Sequence, residues 1–232
     1  MRNCEVRHLG RMEYGAALAV QRSLVEARQQ DRVPDQLLLL EHPHVITLGR
    51  NGHLENLLAS GHVLDRAGIS FYPTDRGGDV TYHGPGQLVG YPILDLNEWR
   101  RDVHAYVRAL EQALIDTLAE FAIQAGRIPG LTGVWVGERG VNERKIAAIG
   151  VHLSRWVTSH GFALNVHTDL TYFQYIVPCG LAKPVASMAQ FGVRASLDEV
   201  SRVLAVHFGR VFDCRVLLEQ PVLAAYEGDN RS

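Results

Sequence analysis

Four consecutive leucines between Gln36 and Glu41 are the feature that most restricts how this chain can fold. A strand with one face in water alternates apolar and polar side chains, whereas an unbroken apolar run of this length is typical of a strand covered on both faces. After the break at His42-Pro43-His44, Val45 to Leu48 forms a second apolar run, which Gly49 closes. The sequence therefore predicts a sheet in which both strands lie deep in the fold.

Helical spacing predicts helices near the two ends of the chain. Apolar residues recur with the helical period from Met12 to Gln29, and Pro34 ends that segment. Ser196-Leu197-Asp198-Glu199 has the form of a capping box, which predicts a final helix through about Phe212.

A longer helix is predicted in the middle of the chain. Asp102 is a suitable N-cap, and the helix is expected to run to about Ala125 and to stop at Gly126. One apolar stripe along it is expected to pack in the core and contains Val103, Tyr106, Val107, Leu110, Leu114, Leu118 and Phe121.

The remaining strand signals complete the fold class. Cys4 to Leu9 reads as a first strand, and residues 133–137, 145–153 and 157–166 read as three strands with short links, which favours an antiparallel meander. No linker, repeat or low-complexity tract interrupts the chain. We therefore predict one α+β domain over residues 1–232, with a mixed, largely antiparallel sheet and flanking helices.

Glycine and proline are concentrated between Phe71 and Pro92, where they separate short β-type runs. Glycine at this density costs backbone entropy, which is expected where the main chain turns tightly or approaches a ligand closely. The preceding segment, Asn51 to Gly68, has a weaker pattern and predicts a loop with a short helix.

Composition excludes several classes of function. A formal charge of −2 without a run of Lys or Arg argues against a general nucleic-acid binder, and no apolar run reaches the length of a membrane span. The N-terminus lacks the apolar segment of a signal peptide, and the three cysteines, Cys4, Cys179 and Cys214, are odd in number and far apart. This pattern predicts a reducing, cytoplasmic setting.

Metal and cofactor chemistry is not predicted. Despite eleven histidines, the chain has no His-Glu-x-x-His, no Cys-x-x-Cys and no other tight ligand spacing. Cys4 and Cys214 fall within apolar stretches and are predicted to be packing residues.

Cys179 lies in a bend, because Pro178 fixes its own backbone torsion and Gly180 frees the next one. A bend can present a thiol to a pocket, but a free cysteine more often packs as a small hydrophobe. The residues alone leave both interpretations open.

Lys145 begins a predicted strand in which alternation places it on the same face as Ala147, Ile149 and Val151. It is either a lysine whose charged end reaches solvent or a cation that points into a cleft beside Cys179. In the second case its ammonium lowers the pKa of the thiol from about 8.5, which activates a cysteine nucleophile.

Two features of the glycine-rich segment have a functional and a structural interpretation. Arg76-Gly77-Gly78 can present a guanidinium and main-chain amides to an anion, but it lacks the P-loop and dinucleotide spacings and is equally compatible with a tight turn. His83, before Gly84-Pro85-Gly86, is either a base or substrate-orienting group or a structural histidine.

A third stretch, His160 to Asn165, has small residues that would let a substrate lie along the backbone, although alone it is only a strand with a glycine.

Taken together, four stretches resemble the octanoyltransferase family of lipoate biosynthesis, also called lipoyl(octanoyl) transferases. They are Arg76 to Gln87, Arg144 to Gly150, His160 to Asn165 and Pro178 to Gly180. They occur in the order found in that family, and the resemblance extends from about residue 9 to residue 187.

The resemblance implies a fold similar to lipoate–protein and biotin–protein ligases, and an enzyme that needs no cofactor. It implies transfer of an octanoyl group from octanoyl-acyl carrier protein to a lysine of lipoyl domains, in the 2-oxoacid dehydrogenases and the glycine-cleavage H protein. Cys179 would be the acyl-thioester nucleophile and Lys145 the residue that lowers its pKa. The substrate site would comprise Arg76, Gly77, Gly78, Asp79, Val80, Thr81, Tyr82, His83, Ala148, Ile149, Gly150, Gly161, Phe162 and Ala163.

An octanoyl chain needs an apolar channel, and we expect Val80, Tyr82, Ile149 and Phe162 to line it. Three alternatives remain. In an ATP-dependent ligase, Arg76-Gly77-Gly78 would hold an adenylate and Cys179 would be incidental. A non-enzymatic acyl-binding module would show no turnover, and a cysteine hydrolase has no recognisable Cys-His-Asn order in this chain to support it.

Overall fold

The computed structural model describes residues 1–177 and 183–218 of the chain. Eleven strands lie in these ranges: β1 Arg2–Arg11, β2 Asp35–Glu41, β3 Val45–Leu48, β4 Ser70–Pro73, β5 Val80–His83, β6 Gln87–Ile93, β7 Ala125–Ile128, β8 Leu131–Val136, β9 Arg144–Ser154, β10 Val157–Asn165 and β11 Cys214–Leu218. The α-helices described are α1 Tyr14–Gln29, α2 Gly61–Arg66, α3 Val103–Glu120 and α4 Leu197–Val211.

The strands form two sheets. Eight of them build a main sheet in the order β11-β1-β2-β6-β10-β9-β8-β7, and β4, β3 and β5 form a small sheet with β3 in the centre. In the main sheet β1 runs parallel to both β11 and β2, and every other neighbouring pair is antiparallel. The predicted mixed, largely antiparallel sheet with flanking helices is confirmed.

The leucine run occupies the middle of this sheet and is buried on both faces, as predicted. Leu37 and Leu39 pack into a large core under α3 and α4, whereas Leu38 and Leu40 pack on the opposite face against α1. Because alternate residues of a strand point to opposite faces, one unbroken apolar run supplies both cores.

The small sheet has an apolar core of its own. Ile46 of β3, Val80 and Tyr82 of β5 and Leu64 of α2 are all buried there, together with Ile176. This third core packs α2 and the segment that ends at Ile176 against the small sheet.

The helix α3 ends earlier than the sequence predicts. Its last residue is Glu120, and Ala122 then takes a left-handed backbone with φ +57°. The amide of Ile123 donates to the carbonyl of Leu118, the six-residue bond that closes many helices, and both side chains are buried. An alanine thus occupies the position usually held by glycine, and Gly126, the predicted stop, lies in β7.

Other helix predictions are confirmed. The capping box at the start of α4 is complete, since Ser196 and Glu199 each accept a hydrogen bond from the other's main-chain amide.

Cys4 and Cys214 are buried in the large core, where they were expected to pack. Among the described residues, none of the helices combines the length and apolar character needed to cross a membrane.

Candidate active site

A cavity lies between the α1 face of the main sheet and the small sheet. About 460 Å³ of space, including the opening to solvent, lies outside the protein atoms there. Its wall consists of Tyr14, Arg76, Gly78, Asp79, Thr81, His83, Tyr91, Ala148, Ile149, Gly150, His160, Gly161, Phe162 and Ala163. Most of the predicted substrate-binding residues are therefore brought together at one place.

The strand β5 divides the predicted residues between two environments. Thr81 and His83 face the cavity, whereas Val80 and Tyr82 point the other way into the core of the small sheet. The expectation that Val80 and Tyr82 line an acyl channel is wrong for this reason. Alternation along a strand separates the two pairs, but it does not reveal which pair faces the cavity.

Ile149 and Phe162 also differ from their predicted role. Both border the cavity, but their side chains pack in or against the large core on the opposite face of the main sheet. Their main chain therefore faces the cavity, and the side chains on that face are those of Ala148 and Ala163.

The glycine-rich loop is braced from behind. Arg76 donates from Nε and Nη2 to Thr47, a buried residue of β3, and from Nη1 to the carbonyl of Gly77. The amide of Gly77 donates to the carbonyl of Val151 at 2.8 Å, which attaches the loop to β9. Gly77 itself is not among the cavity wall residues.

The close approach of β9 to the glycine-rich loop requires glycine at position 150. A Cβ at Gly150 would lie 2.7 Å from the carbonyl oxygen of Gly77. Asp79, the next polar residue of the loop, accepts hydrogen bonds from the amides of His53 and Val80 and from the side chain of Asn56. The loop is therefore fixed on both sides.

Lys145 lies on a different face from the one that the sequence predicts. Val134 pairs with Ala147 but Trp135 pairs with Lys145, so Ile146 is an extra residue in β9, a β-bulge. Because of the bulge, the residues before Ile146 lie on the opposite face from the one that regular alternation predicts. Ile146 and Ala147 pack in the large core, whereas Lys145 lines a small cavity on the α1 face.

This small cavity adjoins the first, because Thr81, Ala148 and Ala163 line both. Lys145 is 8% exposed, and its Nζ lies 4.8 Å from the centre of the Trp135 ring. An aromatic face at this distance stabilises an ammonium ion. The lysine thus lines a small cavity that is adjacent to the larger one.

Cys179 lies outside the described residues, as do Pro178 and Gly180. The described residues on either side of them are hydrogen-bonded to other parts of the chain, those that follow to Lys145 and the one that precedes to Asn56. The main chain of Lys145 exchanges hydrogen bonds with Pro184 and Ala186, and the amide of Val177 donates to the carbonyl of Asn56.

Two buried histidines beside the larger cavity are held neutral. Burial lowers the pKa of His83 to about 3, with a smaller contribution from His42, and burial lowers the pKa of His42 to about 4. His42 is hydrogen-bonded to the carbonyl of Met12 and to the hydroxyl of Tyr91, and His83 stacks on Tyr14.

His160 is a further wall residue that the sequence did not single out. It has a left-handed backbone, φ +55°, which is uncommon for a residue other than glycine. Its Nε2 lies 2.8 Å from Asp75, the residue before the glycine-rich loop. Tyr14 and Tyr91 were also missed. Tyr14 comes from α1, which is distant in sequence from the motifs, whereas Tyr91 lies in β6, four residues beyond the end of the Arg76 to Gln87 stretch.

One group of metal-type ligands, Asp31, Asp95 and Glu98, occurs in the described ranges. Arg28 pairs with all three carboxylates, which accounts for the cluster. It lies apart from both cavities.

The fold is similar to that of two solved ligases. A crystal structure of lipoate-protein ligase A bound with ATP superposes with a TM-score of 0.75 at 19% identity, over 95% of this chain and 90% of that one. The biotin protein ligase from Aquifex aeolicus in complex with biotin and ATP gives a TM-score of 0.54 at 13% identity, over 90% of this chain and 70% of that one. The predicted similarity to both kinds of ligase fold is confirmed.

The family follows from sequence. The model of the lipoyl protein ligase A/B catalytic domain matches residues 13–209, and the chain belongs to this family. A relative from Solibacter usitatus (strain Ellin6076), named octanoyltransferase, is 70% identical over 225 residues, which is 97% of this chain and 100% of the relative.

Proposed function

We propose that this chain is an octanoyltransferase that moves an octanoyl group from octanoyl-acyl carrier protein to a lysine of a lipoyl domain. The observation that carries the proposal is the 70% identity, over nearly the whole of both chains, to the Solibacter usitatus octanoyltransferase. The proposal treats residues 1–232 as one catalytic domain. The acceptors are lipoyl domains of 2-oxoacid dehydrogenases and the glycine-cleavage H protein.

The larger cavity is the site for the acyl chain. Ala148 and Ala163 leave room on the sheet face, and the main chain at Gly150 and Gly161 forms part of the floor. A straight chain can lie against such a surface, and each buried methylene contributes about 0.8 kcal/mol. The thioester end then lies at the junction with the small cavity, beside Lys145.

Cys179 is the nucleophile and Lys145 favours its thiolate. An ammonium close to a thiol stabilises the charged form, and the Trp135 ring keeps the Lys145 cation in place. The residues that follow the Cys179 segment support this pairing, because Val185 forms a β-bridge with Lys145 itself.

The reaction has two halves. The Cys179 thiolate attacks the thioester carbonyl and the C–S bond to the carrier breaks, so that the octanoyl group becomes a thioester of the enzyme. The carrier sulfur leaves with the proton that Cys179 had given up to Lys145. The neutral amine of the lipoyl-domain lysine then attacks this thioester, a C–N bond forms, and the C–S bond breaks. The proton that the amine loses returns to the Cys179 sulfur through Lys145. Neither half consumes ATP.

The proposal also places the reaction in the cytoplasm, because a free thiol needs a reducing compartment. Both cysteines within the described residues, Cys4 and Cys214, are free thiols, which is compatible with this setting.

The test is the intact mass of the protein after incubation with octanoyl-acyl carrier protein in the absence of ATP. We expect wild type to gain one octanoyl mass and Cys179→Ala to gain none. Cys214→Ala is the matched control, since it removes a thiol from β11, at the far edge of the main sheet from β8 and β9, and it should load. Loading that depends on ATP and free octanoate would instead identify a ligase and leave Cys179 without a role.

A further inference from the structure

Four hydrogen bonds connect His83, through Gln87 and Asn165, to main-chain carbonyls. His83 Nδ1 lies 2.8 Å from Gln87 Oε1. Gln87 Nε2 donates to Asn165 Oδ1 at 2.9 Å and to the carbonyl of Tyr82 at 3.2 Å. Asn165 Nδ2 donates to the carbonyl of Ala186 at 3.0 Å. All three side chains are buried.

The two carbonyls fix the direction of every bond in this chain. A main-chain carbonyl can only accept, so the Asn165 group facing Ala186 has to be its NH₂ and the other has to be its oxygen. In the same way, the Gln87 group facing Tyr82 is its NH₂, and its oxygen faces His83. The orientation of both amides thus follows from chemistry rather than from the choice of atom labels.

The direction of these bonds determines the tautomer of His83. Since Gln87 Oε1 can only accept, His83 Nδ1 has to carry the hydrogen, and Nε2 of a neutral ring then carries a lone pair. Nε2 forms no hydrogen bond with any residue in 1–177 or 183–218. Because His83 is a wall residue of the larger cavity, this lone pair is available to a substrate there.

The surroundings of His83 keep the ring neutral. Burial is the main cause of its lowered pKa, and the neighbouring ring of His42 acts in the same direction, as do Arg76 and His160 to a smaller extent. The hydrogen bond to Gln87 opposes them but does not offset the burial. Tyr14, which stacks on the ring, is uncharged at neutral pH. His83 is therefore a hydrogen-bond acceptor and not a proton carrier.

The two half-reactions differ in whether a reacting group can donate a hydrogen bond to His83 Nε2. A thioester and a thiolate have no N–H or O–H at their reacting atoms. The lysine amine that attacks in the second half has N–H groups, one of which can be held while its lone pair points at the carbonyl. Gln87 lines the Lys145 cavity and lies one hydrogen bond from His83, so the two sites are adjacent.

We propose that His83 Nε2 accepts a hydrogen bond from the incoming lysine amine, and that Gln87 and Asn165 are positioning residues that hold His83 in the required tautomer. The inference rests on the proposed function. It assigns His83 to the second half-reaction alone, since it binds neither the thioester nor the thiolate and takes no proton.

The first test separates the two half-reactions in Gln87→Met, which keeps the length of the side chain but removes both polar atoms. We expect loading from octanoyl-acyl carrier protein within about twofold of wild type. Transfer from the isolated acyl-enzyme to a lipoyl domain should fall about tenfold, as for the loss of one hydrogen bond in the transition state. Gln112→Met, on α3, is the matched control and should change neither rate.

Either an equal loss in both halves or no loss in the second would overturn the inference. These outcomes differ from failure of the proposed function, in which wild type itself would form no acyl-enzyme.

The second test needs no activity. The ¹⁵N NMR shifts of an imidazole distinguish its tautomers, and the His83 signals can be assigned as those absent from His83→Gln. We expect wild type to be protonated at Nδ1 only, and Gln87→Met to populate the Nε2-protonated form as well. Protonation at Nε2 in wild type, or a charged ring at pH 7, would refute the assignment.

Discussion

Replacing Gly150 by alanine tests how closely the glycine-rich loop is seated on β9. The added Cβ would lie 2.7 Å from the carbonyl oxygen of Gly77 and 3.3 Å from Arg76 Cδ. An ordinary contact between such atoms is about 3.4 Å or more, so the loop has to withdraw by roughly 0.7 Å. The Gly77 to Val151 hydrogen bond lengthens, and the cavity wall moves with it.

Two effects are expected from this displacement. The free energy of unfolding should fall by about 1–3 kcal/mol, the usual cost of overpacking. Loading of Cys179 should slow by about ten- to a hundredfold, because shifts approaching 1 Å in a substrate-positioning wall have effects of this size.

The measurements are urea denaturation and single-turnover loading from octanoyl-acyl carrier protein. Gly126→Ala is the matched control, since no atom lies within 4 Å of its added Cβ, and we expect wild-type loading and unchanged or slightly higher stability. If Gly150→Ala loaded at the wild-type rate, the close seating of the loop would have no part in forming the acyl site.

Two further predictions concern stability. In the unfolded chain, His42 and His83 take up protons below about pH 6.5, whereas in the folded protein they do so only near pH 4 and pH 3. The free energy of unfolding should therefore fall as the pH is lowered from 6.5 towards 4, by up to about 1.4 kcal/mol per pH unit for each ring. His42→Gln should flatten this slope in urea titrations, and an unchanged slope would show that His42 is not neutral in the fold. Ala122→Gly should raise the free energy of unfolding by about 1 kcal/mol, because Ala122 has a left-handed backbone just beyond α3. Ala119→Gly, within α3, should lower it by about as much. Equal effects of the two glycines would contradict this explanation.

Local patterns were enough to predict much of the fold. The leucine run predicted both the position of β2 and its burial on two faces, because a strand covered on both faces lacks alternating polar residues. The capping box marked the start of α4 within one residue. In both cases the cause lies within a few consecutive residues, so it is visible in the sequence.

Features that depend on distant contacts were missed. The strand β11 exists because β1 offers it a parallel edge, and nothing in Cys214 to Leu218 alone shows this. The end of α3 is set by the contact of Ile123 with Leu118, while the apolar stripe continues past it to Phe121.

The candidate site shows the same division. The motifs named most of the cavity wall, but neither the orientation of Val80 and Tyr82 nor the roles of Gln87 and Asn165 could be predicted. Gln87 and Asn165 lie in the motifs as ordinary polar residues. The main-chain carbonyls of Tyr82 and Ala186 fix the orientation of the two side-chain amides, and the fold rather than the local sequence brings these carbonyls to them.

The bulge at Ile146 means that the face on which Lys145 lies depends on the register between β9 and β8 and not only on the identity of residues. If Ile146 were retained in a regular ladder, Lys145 would turn towards the large core, whereas deletion of Ile146 would leave Lys145 opposite Trp135. The buried side chain of Ile146 favours the bulge, because it packs in the large core beside Ala147. In the evolution of such chains, substitutions at Ile146 that favour a regular ladder are therefore expected to be eliminated, whereas loss of this one residue should preserve the position of the lysine.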